Sequence, residues 1–99
     1  MLQIRVAARQ LVLGLVDVLG ADDVFRQLLP SLASRKPRVK DGVIDCFVAA
    51  LQNVPSEQLP LAAFVPALAS LLDDSDRAVR ELAFRSLGDT YRYVGKRIF

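Results

Sequence analysis

The 99-residue chain contains no histidine, no tryptophan and a single cysteine, Cys46. Without histidine, a Ser-His or Cys-His nucleophile cannot be assembled. One cysteine excludes a disulfide framework, and the two shortages together exclude a His/Cys zinc site. No glycine-rich phosphate loop is present. The acidic pairs Asp22-Asp23 and Asp73-Asp74 fall in expected turns beside helix starts, where capping accounts for them. No catalytic residue, cofactor or metal is therefore expected. The longest apolar stretches are broken by charges or proline, so nothing is built to span a bilayer and no membrane partner is expected. The N-terminal stretch interleaves Arg5 and Arg9 with apolar residues and shows no small-residue cleavage pattern, so it does not read as a signal peptide. A net charge of +2 is too weak to call for nucleic acid by itself.

What the chain does have is apolar mass. Hydrophobic residues make up 53% of it, only 7% are aromatic, and mean hydropathy is +0.31. This palette of Leu, Val and Ala packs helices and is too apolar for disorder. A chain this short buries only about two-thirds of its unfolded surface and is marginal alone. The expectation is that it either self-associates or belongs to a longer array.

Three segments share one pattern. They open at Ile4-Arg5-Val6, Val39-Lys40-Asp41 and Val79-Arg80-Glu81, and close at Leu19-Gly20, Val54-Pro55 and Val94-Gly95. From Ile4 to Val39 is 35 residues and from Val39 to Val79 is 40. Helical spacing puts Ile4, Ala8, Leu11, Leu15 and Val18 on one stripe. It does the same for Val39, Val43, Phe47, Ala50 and Val54, and for Val79, Ala83, Leu87, Tyr91 and Val94. Tyr91 is thus expected in the core and Tyr93 half-exposed, with Cys46 a small buried residue. Gly20 and Gly95 sit where a left-handed C-cap favours glycine, and Lys96 and Arg97 suit a helix C-terminus.

A shorter apolar segment precedes the second and third copies, at 24–32 and 61–72. Each carries an internal proline followed two residues later by Leu, Pro30 or Pro66, which suggests a built-in bend. The expected fold is all-α: a solenoid of stacked antiparallel hairpins with about five helices, forming a single array over 1–99. Residues 1–20 would be the second helix of an incomplete repeat, 21–55 a second repeat and 56–99 a third. The unpaired first helix leaves an apolar end open for self-association.

Leu71-Leu72-Asp73-Asp74-Ser75-Asp76-Arg77-Ala78-Val79-Arg80 resembles the HEAT signature: an apolar helix end, an acidic turn, then Val-Arg opening a second helix. Asp76 or Ser75 can cap that helix, and Arg80 can reach back to the carboxylates. Leu32-Ala33-Ser34-Arg35-Lys36-Pro37-Arg38-Val39-Lys40-Asp41-Gly42 resembles the intra-repeat turn of a TOG domain, the tubulin-binding HEAT array, most nearly of the CLASP and crescerin type. The Tyr91-Arg92-Tyr93-Val94-Gly95 close resembles the last repeats of such domains. The resemblance covers nearly the whole chain and corresponds to the C-terminal half of the domain. It implies a cytoplasmic, cytoskeleton-associated protein that contacts tubulin or the microtubule through the turns joining paired helices. Carried over, the contact residues are Arg35, Lys36, Arg38 and Lys40, with Arg77 a weaker candidate. Such domains also place an aromatic anchor in the turn of a first repeat. That repeat is absent here, so the chain by itself is expected to bind tubulin weakly.

The residues support a working role for this turn independently. Ser34 to Lys40 holds four cations and no acid. A short basic turn is commonly just solvated charge. Here, however, Ala33, Ser34 and Lys36 align with Asp73, Asp74 and Asp76 of the next copy, and anions are what a helix N-terminus favours. A local choice against that preference invites a functional reason. Pro37 would stiffen the turn and lower the ordering cost of binding. Arg5, Lys40 and Arg80 share one register, so a structural ladder between neighbouring turns is the competing reading for them. The alternatives to tubulin are a HEAT scaffold binding other proteins and, more weakly, phosphate-backbone binding.

Overall fold

The computed structural model describes residues 2–98, with side chains from 7 to 94 apart from Ser56. It is all-α among the described residues: α1 Leu2–Leu19, α2 Ala21–Leu28, α3 Pro37–Asn53, α4 Leu61–Ser70 and α5 Arg77–Ile98, with 3-10 turns at Leu29–Ala33, Ser56–Gln58 and Leu71–Asp73. The long helices stack in the order α1, α3, α5, while α2 and α4 with their 3-10 extensions form the second layer. The result is the α-solenoid of antiparallel hairpins that the periodicity calls for.

Each short helix ends by tightening into a 3-10 turn. At Pro30 the change follows from the missing N–H, which cannot extend the α ladder. Pro66 stays inside α4, and the tightening comes later, at Leu71. Gly20 joins α1 to α2 alone, at φ 92° and ψ 143°, a conformation that L side chains rarely adopt. Its N–H donates to the Val16 carbonyl at 2.9 Å.

The core is built on three phenylalanines, all fully buried. Phe25 of α2, Phe47 of α3 and Phe64 of α4 meet with centroids 5.7, 5.8 and 4.4 Å apart, two pairs edge-to-face and the third stacked. Each buried ring contributes about 1.5–3 kcal/mol, and the trio locks both layers together. Cys46 is buried beside Phe47, and desolvation pushes its thiol pKa up.

Of the stripe expected on α3, Val43, Phe47 and Ala50 are buried, Val54 just past the helix packs partly against the core, and Val39 is exposed. The end helices differ. Leu11, Leu15 and Val18 of α1 face solvent, and α1 instead buries Val16 and packs Val12 against the core. Ile4 lies outside the described side chains. On α5 the buried line runs Val79, Ala83, Ser86, Thr90, so Tyr91 is exposed and Tyr93 packs partly against the core. Two hydroxyls thus replace apolar residues. They are satisfied within the helix: Ser86 donates to the Ala83 carbonyl at 2.9 Å, and Thr90 to the Ser86 carbonyl at 2.7 Å. Their small size suits close packing of α5 on α3. α5 continues to Ile98, so Gly95 does not terminate it. The side chains of Lys96 and Arg97 lie outside the described residues.

Candidate partner-binding edge

The turns entering α3 and α5 match in backbone at one residue and in one side-chain-to-amide bond. After each 3-10 segment the chain goes extended, at Ser34 (φ −60°, ψ 147°) and Asp74 (φ −62°, ψ 150°). In both, that residue's side-chain oxygen accepts the amide two residues on: Lys36 N–H to Ser34 Oγ at 3.1 Å, and Asp76 N–H to Asp74 Oδ1 at 2.9 Å. The helix starts then diverge. Asp76 caps α5 by accepting the Val79 amide at 3.1 Å. Lys36 occupies the same position before α3 and has no side-chain cap to offer, although Pro37 at the first helical position preorganises the backbone.

Lys40 connects the two turns. Its Nζ donates to Asp74 Oδ2, and the two side chains are only 13% and 8% exposed. The Lys40 ammonium is the main cause, and the Asp76 amide the next, of an Asp74 pKa below the usual carboxylate value. Arg80 adds positive charge nearby, but its hydrogen bonds go to backbone: Nη1 donates to the Asp74 carbonyl at 2.8 Å and the Ser75 carbonyl at 3.2 Å. It therefore does not reach back to the carboxylates by hydrogen bond, as the sequence suggested. The cross-turn role belongs to Lys40. Arg5 lies outside the described side chains.

The expected contact residues thus fall into three groups. Arg35, Lys36 and Arg38 are exposed, and none is paired with a carboxylate among the described residues. Lys40 is held inward. Arg77, also exposed, sits on the neighbouring turn and pairs with Glu81 at 3.3 Å. The Lys40–Asp74 pair brings the turns side by side, so the first three cations and Arg77 share one edge of the stack.

Two features escaped the sequence reading. Arg9 and Asp45 form a two-pronged pair between α1 and α3, at 2.6 and 2.7 Å. This holds Arg9's pKa up, chiefly through the hydrogen bond. Asp22 accepts from Arg26 at 2.6 Å within α2 and makes no cap, so the Asp22-Asp23 pair sits in the first helical turn and does not close it. Among the described residues no group of three His, Cys, Asp or Glu is placed to hold a metal, and no helix is long and apolar enough to cross a membrane.

A stack of helical hairpins, with exposed turn cations that have no carboxylate partner among the described residues, defines a helical-repeat array. The chain belongs to the XMAP215/Dis1/CLASP TOG-domain family, whose model matches residues 2–99. CLIP-associating protein 1 of Xenopus tropicalis is 31% identical over 75 residues, which is 76% of this chain and 5% of that protein. CLIP-associating protein 1-B of Xenopus laevis is 36% identical over 75 residues, with the same coverage. Spindle pole body component alp14 of Schizosaccharomyces pombe is 25% identical over 91 residues, 92% of this chain and 11% of that protein. The chain thus spans only a small part of the length of these curated relatives. No solved structure gives a significant match.

Proposed function

We propose that this chain acts by binding and not by catalysis, and that its basic turn contacts an acidic protein surface, that of tubulin or the microtubule. The observation that carries the reading is the sorting of charge along the edge. Arg35, Lys36 and Arg38 are exposed without carboxylate partners among the described residues, while Lys40 behind them is fixed by Asp74. Lys40 is then a positioning residue for the turn, and Arg77, already paired, a peripheral contact. Membership of the TOG family supports tubulin as the acidic surface, and the name of the S. pombe relative ties that protein to the spindle pole body. A cytoplasmic, cytoskeleton-associated setting follows from the same reading.

The strength expected is modest. Exposed ion pairs are worth up to about 1 kcal/mol each, so three supply at most about 3 kcal/mol. Such an edge steers encounter and sets register more than it supplies affinity. Binding by this chain should be micromolar or weaker.

Charge reversal at Arg35 and Lys36 tests the proposal. Co-sedimentation with microtubules, or fluorescence anisotropy with free tubulin, should show weak binding that the R35E/K36E variant loses. Equal binding by both chains would sink it. A second reading, a protein-binding scaffold without tubulin affinity, is favoured by the bare apolar side chains on α1 and α5. It predicts no effect of the reversal on tubulin. Binding to duplex DNA or RNA with a steep salt dependence would instead indicate phosphate-backbone recognition.

A further inference from the structure

The basic turn carries a hydroxyl, and the neighbouring turn shows what an anion does in the same place. The step from Ser34 to Val39 equals that from Asp74 to Val79. Ser34 and Asp74 share extended dihedrals, and each accepts the amide two residues on. At Asp74 the anion also takes the Lys40 ammonium. One repeat earlier the sequence sets another cation, Arg5, in the register of Lys40. Ser34 is neutral, and Arg35, Lys36 and Arg38 beside it have no carboxylate partner among the described residues. An anion on Ser34 Oγ would answer that charge at a backbone position already fitted for one.

The hydroxyl is also open to reaction. Its oxygen accepts the Lys36 amide at 3.1 Å, and its proton is donated to nothing among the described residues. Ser70, Ser86 and Thr90 instead donate to carbonyls of their own helices, and the last two are buried. Ser75 is exposed but sits among Asp73, Asp74 and Asp76, which repel a phosphate. Around Ser34, Ala33 and every residue from Arg35 to Val39 are exposed. The cations that follow the hydroxyl suit an enzyme with an acidic substrate cleft.

We propose that Ser34 is a phosphorylation site for a protein kinase that selects cations after the acceptor, and that its phosphate switches off the basic turn. In the transfer the Ser34 oxygen bonds to the γ-phosphorus of ATP, and the bond from that phosphorus to the β,γ-bridging oxygen breaks. ADP leaves, and the serine proton passes to the kinase's catalytic carboxylate. The product brings about −1.5 to −2 of charge beside three exposed cations. It stands just ahead of α3, whose start has no side-chain cap. The phosphate therefore pairs with Arg35, Lys36 and Arg38, favours the positive pole of α3 and withdraws the charge that an acidic partner needs. The loss of binding rests on the basic turn being the partner-binding edge, whereas the docking of the phosphate on its own turn does not.

The test treats the folded chain with ATP and a serine kinase of that specificity, and locates the phosphate by mass spectrometry. Phosphate should appear on Ser34 and be absent from Ser34→Ala. A chain with phosphoserine encoded at position 34 supplies the second readout. It should melt a few degrees above the unmodified chain and hold tubulin about tenfold more weakly in anisotropy titrations. No phosphate on Ser34 of the folded chain would overturn the proposal, as would a phosphorylated chain that melts no higher. Equal tubulin binding by the two forms, where R35E/K36E abolishes it, would overturn the switch and leave the binding edge standing. If the unmodified chain binds no tubulin, the reading of the edge fails by itself, and the melting temperature still decides whether the phosphate docks.

Discussion

The turn entering α3 and the turn entering α5 share dihedral angles and share a side-chain-to-amide bond, yet they use opposite charge. In the second turn Asp74 accepts both Lys40 and the Asp76 amide, Asp76 caps α5, and Arg80 closes on two carbonyls. Both of those carboxylates are engaged in holding the fold. In the first turn a neutral Ser34 makes the same backbone bond. Its three exposed cations hold nothing within the described residues, and the N-terminal pole of α3 goes without a side-chain cap. The backbone plan tolerates either charge, so the difference is not demanded by folding. A helix start that forgoes a cap and concentrates like charge there is less stable than its neighbour, and the surplus charge is free for a partner.

The largest effect is expected from making the acidic turn copy the basic one. Asp74→Ser keeps an acceptor for the Asp76 amide, as Ser34 does for Lys36, but strands the mostly buried Lys40 ammonium. The melting temperature should fall clearly. Lys40→Met in the same chain should recover part of the loss, giving a non-additive double-mutant cycle. Strict additivity would show that the pair does not couple the turns. The same bond sets a pH dependence. Asp74's folded pKa lies below its ordinary value of 3.8. Its contribution is therefore complete above that pH and drains away as pH falls through the folded pKa. An acid titration of stability should show this loss in the wild type and not in Asp74→Ser.

Next in size is the cap. Asp76→Ala removes the acceptor of the Val79 amide and should cost about 0.5–2 kcal/mol in urea denaturation. The matching gain is available at the other turn. Lys36→Asp places a carboxylate at the position equivalent to Asp76, before a helix with no side-chain cap. It should stabilise the chain by about 0.5–1 kcal/mol while weakening tubulin binding. Stability and binding moving in opposite directions would distinguish a turn kept basic for a partner from one kept basic by chance.

The middle of the molecule was the most legible in sequence. α3 has neighbours on both sides, so Val43, Phe47 and Ala50 at the centre of its pattern are buried and the period alone locates the core. The end helices repeat that pattern without both neighbours. Leu11, Leu15 and Tyr91 therefore carry the spacing of core residues and sit in solvent, because periodicity marks which faces can be buried and not which are. Ser86 and Thr90 lie outside the apolar pattern and are buried, because a hydroxyl bonded to its own helix can line a packed face without another partner. At the edge, the cluster from Arg35 to Lys40 was visible as composition. Its division into exposed and engaged cations was not, because Lys40's partner is an acid on another turn, 34 residues away.

The smallest effect is expected at Arg77, and its smallness carries information. This residue is an exposed cation on the same edge, but it belongs to the acidic turn and pairs with Glu81 one helical turn on. An exposed pair of this kind contributes about 0.3–0.5 kcal/mol, so Arg77→Ala should shift stability by no more than that. Its charge is already answered by Glu81, so tubulin binding should fall far less than after charge removal at Arg35 or Lys36. Parallel anisotropy titrations of Arg35→Ala, Lys36→Ala and Arg77→Ala at one ionic strength make the comparison directly. Equal losses from all three would mean that the edge acts through its summed charge, and that the contrast between the two turns does not matter to the partner.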